Sequence, residues 1–245
     1  MPSTPEAMSQ KLDALKTDIV GQGRAVQSMT EQAFAACFGK DAALAQRVIA
    51  SDSEIDRVDV AVEQTAVALL TIACTEGAAM TPQQVRTVLT IVKVNNELER
   101  IADVAALIAE QTTLLNDADG FPPAFRVLAN STVAILRDSV SSLAGGDPTG
   151  AKRVLMSQAT VARFKQELVT DVQQQLARQT LSLRLAPILL DMANACVVMT
   201  DHCTNICEQV LYLATGKIVR HFEGKWEEVD VPALPPVKGA PTGTI

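Results

Sequence analysis

Residues 95–110 read NNELERIADVAALIAE, and residues 194–208 read NACVVMTDHCTNICE. Both carry apolar side chains at the three- and four-residue spacing of an amphipathic helix. In the first the seam is Leu98, Ile101, Ala105 and Ile108; in the second it is Cys196, Met199, Cys203 and Ile206. A shift of 98 residues lays Arg86 on Arg184, Asp103 on Asp201 and Glu110 on Glu208. A shift of 106 lays Asp41 on Asp147, Arg47 on Arg153 and Val48 on Val154. Matched punctuation and matched polar positions mark two copies of one helical unit. The unequal shifts predict a second hairpin shorter by about one turn on each arm.

Working outward, Ser9 is expected to cap a first helix over 10–38, weakened locally by Gly21 and Gly23. Asp41 caps a second helix to about Thr75, stopped by Gly77. Thr81 followed by Pro82 opens a third, which runs to about Leu115. The second half predicts helices over 124–143, 148–179 and 182–215, with Gly216 as the final stop. The fold class is all-α: two tandem three-helix bundles of six long helices, related by an internal repeat. The expected organisation is a disordered lead over 1–8, a first bundle over 9–118, a second over 119–216 and a tail over 217–245. In that tail KIVRHFEGKWEEVDV suits an extended segment or hairpin, and the proline-rich remainder reads as disordered.

Composition agrees. Hydrophobic residues are 48%, charged residues 20% and aromatics only 3%, which suits packed helices. A net charge of −7 argues against a nucleic-acid partner and suits cations or a basic protein. Five scattered cysteines form no disulfide framework and fit a reducing cytoplasm. The N-terminus carries no apolar signal-type region, and the longest near-apolar run, around 66–74, is short of a membrane span. A membrane role is therefore expected only through partners.

Residues four apart on a helix share a face. Asp52 with Asp56, and Glu99 with Asp103, are two such acid pairs on helices expected to be antiparallel neighbours. Together they would form an oxygen-rich, surface-mounted cluster of the kind that selects Mg, Mn, Ca or Fe. The bland reading is a solvated helix face, because 28 acids in 245 residues give about three such pairs by chance. Neither His202 nor His221 follows a Glu by three residues, which disfavours a buried di-iron bundle. Walker, G-x-S-x-G and Rossmann motifs are absent. Cys196 and Cys203 read as small core residues; a soft-metal pair of Cys203 and Cys207 beside His202 is the lesser reading.

NELERIADVAALIAE, followed about a hundred residues later by TDHCTNICEQVLYLATGKIVRH, resembles the PhoU family of phosphate-signalling proteins. That family carries L-E-R-I-G-D in each half and D-H-A-T-N-I-A-E-x-V-x-Y-L-x-T-G-x-x-V-R-H in the second. The resemblance runs through His221 and includes the D-x-x-x-D of Asp52 and Asp56. It implies a cytoplasmic, dimeric, negative regulator linking a phosphate ABC transporter ATPase subunit to a phosphate sensor kinase. It also implies bound divalent or iron-type metal ions (Mg, Mn, Fe or Zn) on Asp52, Asp56, Glu99 and Asp103, with Arg100 as the signature arginine.

The second half departs from the pattern. Gln158 and Ala162 stand where Asp52 and Asp56 stood, and Val197 and Val198 replace Glu99 and Arg100. Only Asp201 survives of the four acids, with His202, Asn205 and Glu208 nearby, so a second metal site there is expected to be weak. Leu107 stands where the family often has Asn. Ala162, Val197 and Val198 could instead form an apolar contact patch. A non-catalytic regulatory binding protein is the favoured reading. The alternative is a metal-dependent phosphoesterase or a metal/phosphate-binding buffer, disfavoured by the lack of a nucleophile, general-base His or walled pocket.

Overall fold

The computed structural model describes residues 5–75, 80–116, 120–222 and 225–229. Six long helices follow in order: α1 (Pro5–Gly39), α2 (Ala42–Thr75), α3 (Pro82–Thr112), α4 (Pro123–Gly145), α5 (Pro148–Ala177) and α6 (Leu185–Thr215). Helices α1–α3 pack on one another, as do α4–α6. The two bundles meet where α3 lies on α6 and α1 on α4. A two-stranded antiparallel hairpin, β1 (Ile218–Phe222) and β2 (Lys225–Val229), follows α6, and β1 packs against that helix.

The helix ends follow the sequence signals closely. Thr81 and Gln84 form a reciprocal capping box, which satisfies two backbone N–H groups that the first turn of α3 leaves over. Asp41 Oδ1 accepts from Leu44 N, and Asp147 accepts from Thr149 N. Just before those caps, Lys40 and Gly146 both adopt left-handed φ values of 51° and 57°. Asp41 N then bonds back to Ala36 O, and Asp147 N to Ser142 O. The repeat thus extends to individual backbone bonds. At the hairpin tip α5 ends about one turn before the position matching Thr75 and α6 opens about one turn after the position matching Pro82, as the unequal shifts require, while α6 regains that length at its other end.

Three ends differ from expectation. Helix α1 opens at Pro5, not after Ser9. Proline suits a first turn, and Met8, 3% exposed, adds one more step to the stripe of Leu12, Leu15 and Ile19. The disordered lead expected over 1–8 is therefore helical from residue 5, while residues 1–4 lie outside the described part. Helix α6 opens at Leu185, with Ser182 Oγ accepting from Leu185 N just ahead of it. Helix α3 stops at Thr112, short of Leu115. The Gly77 stop, the middle of the 113–122 connection and the proline-rich end fall outside the described residues.

One hydrophobic core runs through both bundles. Leu98, Ile101 and Ile108 of α3 and Leu189, Met192 and Met199 of α6 are fully enclosed, so the two quoted stretches form the spine. Phe38 of α1, stacked on Phe34, meets Phe121 just before α4 edge-on at 5.5 Å and Phe125 of α4 at a tilt at 5.6 Å, while Phe121 and Phe125 stack on each other at 5.4 Å. Arg126 lies 4.3 Å over Phe38. Four of the six phenylalanines are thus spent on the junction between bundles. A Cβ at Gly23 of α1 would rest on Val140 of α4 at 3.4 Å, an ordinary contact, so the packing of the two helices there does not depend on glycine.

By length and composition, α2 could cross a membrane: its most apolar window averages a hydropathy of 1.4, with 17% of it buried. The sequence run at 66–74 alone is too short, but its Ala- and Val-rich flanks lengthen it. In the bundle α2 packs through Val48, Ile55, Val62 and Leu69.

Gly216 closes α6 at φ 76°, and a Cβ there would sit 2.8 Å from Arg86 Nη1. Arg86 in turn lies 5.3 Å over the Tyr212 ring. Gly216→Ala is expected to cost about 1–2 kcal/mol from the left-handed backbone alone. It should also displace the guanidinium. Urea denaturation checks this; an unchanged midpoint would show that the turn relaxes freely.

Candidate functional site

Helices α2 and α3 run side by side and bring their acids onto one face. Asn95, 2% exposed, fixes the register: its Nδ2 donates to Asp59 O at 2.9 Å and to Asp59 Oδ1 at 2.6 Å. Around that bond lie Asp52, Asp56 and Asp59 of α2 and Glu99 and Asp103 of α3. Asp52 and Glu99 are half-buried, while Asp56 and Asp103 are exposed. The four residues named from the sequence thus lie on one side of the α2–α3 pair, near enough for their charges to interact but not gathered around one point.

The electrostatics of this face are those of unneutralised repulsion. Burial, then the charges of Asp56, Asp103 and Glu110, raise the Asp52 carboxyl above its ordinary value. Burial, then Asp103 and Asp59, raise Glu99 against the lowering pull of Arg100. Burial, then Glu63 and Asp56, raise Asp59 against the Asn95 hydrogen bond. Asp52 Oδ1 is closed off from solvent and accepts no hydrogen bond. Arg57, the nearby cation on α2, is turned to Glu54. Among the described residues no three His, Cys, Asp or Glu side chains are gathered closely enough to hold one ion. Like charges at this spacing push their side chains apart. The donor set is hard oxygen, which suits hard cations shared between pairs of carboxylates and completed by water.

The second half has the same helices and the opposite electrostatics. Gln158, in the place of Asp52, donates its amide to Asp201 Oδ1 at 2.7 Å. His202 Nδ1 lies 2.7 Å from Glu97 Oε2, and Asn205 Nδ2 donates to the same oxygen at 3.0 Å. Glu208, 7% exposed, is paired with Arg220 of β1. Each member of the expected weak site, Asp201, His202, Asn205 and Glu208, is thus already engaged. Burial would raise the Glu97 carboxyl, but the His202 and Asn205 hydrogen bonds, with the pull of His202 and Arg100, leave it lowered.

Val197 packs partly against the core, whereas Val198 is 42% exposed and Ala162 is exposed. The expected contact patch is therefore narrower than three side chains. Cys196, Cys203 and Cys207 are buried, and burial pushes Cys196 and Cys207 up to about 12 and raises Cys203 as well. Such thiols are un-ionised and poor ligands, and His202 is turned to Glu97.

Sequence reasoning overlooked Glu97, the carboxylate of α3 that reaches across to α6. It also overlooked Lys93, Asn96, Gln209 and Arg220. With Glu97, Asp201 and Glu208 these side chains line a cleft of about 790 Å³ between α3, α5, α6 and β1. The available signal was a second polar face on α3, where Lys93, Asn96 and Glu97 recur at three and four residues away from the Glu99–Asp103 face.

The PhoU domain family matches residues 19–112 and 125–210. The chain is 27% identical over 217 residues to the phosphate-specific transport system accessory protein PhoU of Serratia marcescens, covering 87% of each chain. It is 26% identical over 223 residues to the protein of that name from Escherichia coli K12, covering 90% of this chain and 89% of the relative. Its fold superposes on the phosphate transport system regulatory protein PhoU from Streptococcus pneumoniae with a TM-score of 0.79 at 21% identity, covering 87% of this chain and 100% of the other. PhoU from Pseudomonas aeruginosa gives a TM-score of 0.78 at 20% identity, covering 85% and 99%.

Proposed function

The chain belongs to the PhoU family, and on that premise we propose that it is a non-catalytic accessory regulator of phosphate transport, acting in the cytoplasm. It restrains phosphate uptake and phosphate-starvation signalling by linking the ATPase subunit of a phosphate ABC transporter to a phosphate sensor kinase. The names of its relatives, accessory and regulatory proteins of phosphate transport, support the role. The observation that carries the mechanism is the uncompensated acidic face of α2 and α3, with its orphaned Asp52 oxygen.

Asp52, Asp56, Glu99 and Asp103 would hold metal ions there. A bound cation supplies the charge that these carboxylates lack and turns a self-repelling face into one that accepts oxygen ligands from a partner. Arg100 tempers Glu99 beside it. The helices supply a rigid platform, so recognition biases the partner between states and requires no chemical step. Dimerisation belongs to the same reading.

Capture from phosphate-replete cells tests this. The wild-type chain is expected to retain the transporter ATPase subunit and the kinase, and to lose both on chelation. The chain with Asp52→Asn, Asp56→Asn, Glu99→Gln and Asp103→Asn should retain neither. Equal capture by both chains would sink the metal-dependent reading.

A further inference from the structure

The cleft between α3, α5, α6 and β1 belongs to neither the acidic face nor a packed seam. Its size, about 790 Å³, is that of a small-molecule site. Lys93 and Asn96 line it, exposed, with no hydrogen bond or ion pair among the described residues. Arg220 closes one end; its guanidinium carries more N–H groups than those it gives to Glu208 and to Val219 O. Gln209 also lines it. That side chain is only 6% exposed, and its Oε1 is closed off from solvent without a hydrogen bond. A buried amide oxygen without a hydrogen bond is costly unless something completes it. Asp201 gives Oδ1 to Gln158 and keeps its second oxygen.

The lining mixes donors and acceptors and, among the described residues, contains no aromatic ring. Hydroxyl groups, each a donor and an acceptor, match such a wall of amides and carboxylates. A nucleobase would find no stacking partner among those described residues. Inorganic phosphate would meet the negative charge of Asp201 and Glu208, which already accept from Gln158 and Arg220, and would leave the amides of the wall unmatched. Lys93 and Arg220 supply positive charge for one anionic group. We infer that this cleft binds a phosphorylated polyol, such as a sugar phosphate, with its phosphate toward Lys93 and Arg220 and its hydroxyls among the amides and Asp201. The site lies apart from the metal face, so this regulator would take an organic phosphate ester as a second input.

Calorimetric titration of the full chain in chelator tests it, using glucose 6-phosphate, glycerol 3-phosphate and inositol 1-phosphate as probes, with glucose, inorganic phosphate and AMP as controls. At least one phosphorylated polyol should bind about tenfold or more tightly than glucose, inorganic phosphate or AMP. Lys93→Ala, an exposed change, should weaken that binding by about tenfold, and Gln209→Leu should weaken it too. Asp52→Asn on the acidic face should leave it unchanged. Failure of all three probes to bind would overturn the inference. So would equal binding of inorganic phosphate, preference for AMP, or indifference to Lys93→Ala. Because the titration excludes metal, its failure leaves the capture experiment untouched.

Discussion

Glu97→Ala is expected to destabilise the chain by about 2–3 kcal/mol, more than any exposed carboxylate in it. Glu97 is a residue of α3, yet both its side-chain partners, His202 and Asn205, belong to α6. The side chains of Glu97 and His202 are 19% and 16% exposed, so solvent screens the pair only partly. Truncation leaves two polar groups of α6 facing a gap at the bundle junction. Glu97→Gln, which keeps the shape and an acceptor for Asn205, should cost clearly less. The pH dependence follows from the lowered carboxyl. Such a group stabilises the fold above the ordinary carboxylate range, and that contribution is lost as pH falls through its lowered value. Wild type should therefore lose stability on acidification along a limb that Glu97→Ala lacks. Denaturant melts at several pH values check this, and parallel curves for the two chains would refute it.

On the opposite face, Glu99→Ala is expected to lower metal affinity on the order of 10–100-fold, whereas Asp201→Ala should change it little. Asp201 already accepts from Gln158, and Glu208 already has Arg220. Without metal the sign of the stability effect reverses relative to Glu97. Asp52, Asp59 and Glu99 are raised, so the folded state holds more protons than the unfolded one just above the ordinary carboxylate range. Stability contributed by their protonated forms is then lost as pH rises through the raised values. Asp52→Asn should accordingly raise the apo melting temperature by about 2–4 °C, equivalent to roughly 1 kcal/mol, and reduce the further rise produced by Mn or Mg. Titration with each metal, followed by thermal melts, decides the matter. Equal loss of metal from Glu99→Ala and Asp201→Ala would contradict the asymmetry.

Much of this was legible in the chain itself. Asp41, Thr81, Asp147 and Gly216 mark helix ends because caps and left-handed stops are local events, written in one to four residues. The Asp52–Asp56 and Glu99–Asp103 face was readable because i,i+4 spacing fixes a face without tertiary knowledge. Helix α1 began early because Met8 gains its place only once the core exists, which Ser9 as a local signal does not encode. The cleft was not readable for a similar reason. Glu97 meets His202 across more than a hundred residues of chain, and Arg220 reaches Glu208 only after the hairpin folds back. Gln158 and Asp201 could be seen as substitutions in a repeat, but not as partners.

The aromatic clasp of Phe34, Phe38, Phe121 and Phe125, with the common core behind it, has a consequence for autonomy. Each three-helix half, cut free, would expose the apolar side of its spine helix to water. Neither is a module that can be moved alone, although the duplication reaches from sequence down to backbone bonds. Folding, turnover and melting act on the pair as one object, so a lesion in either half is felt at the functional surface of the other.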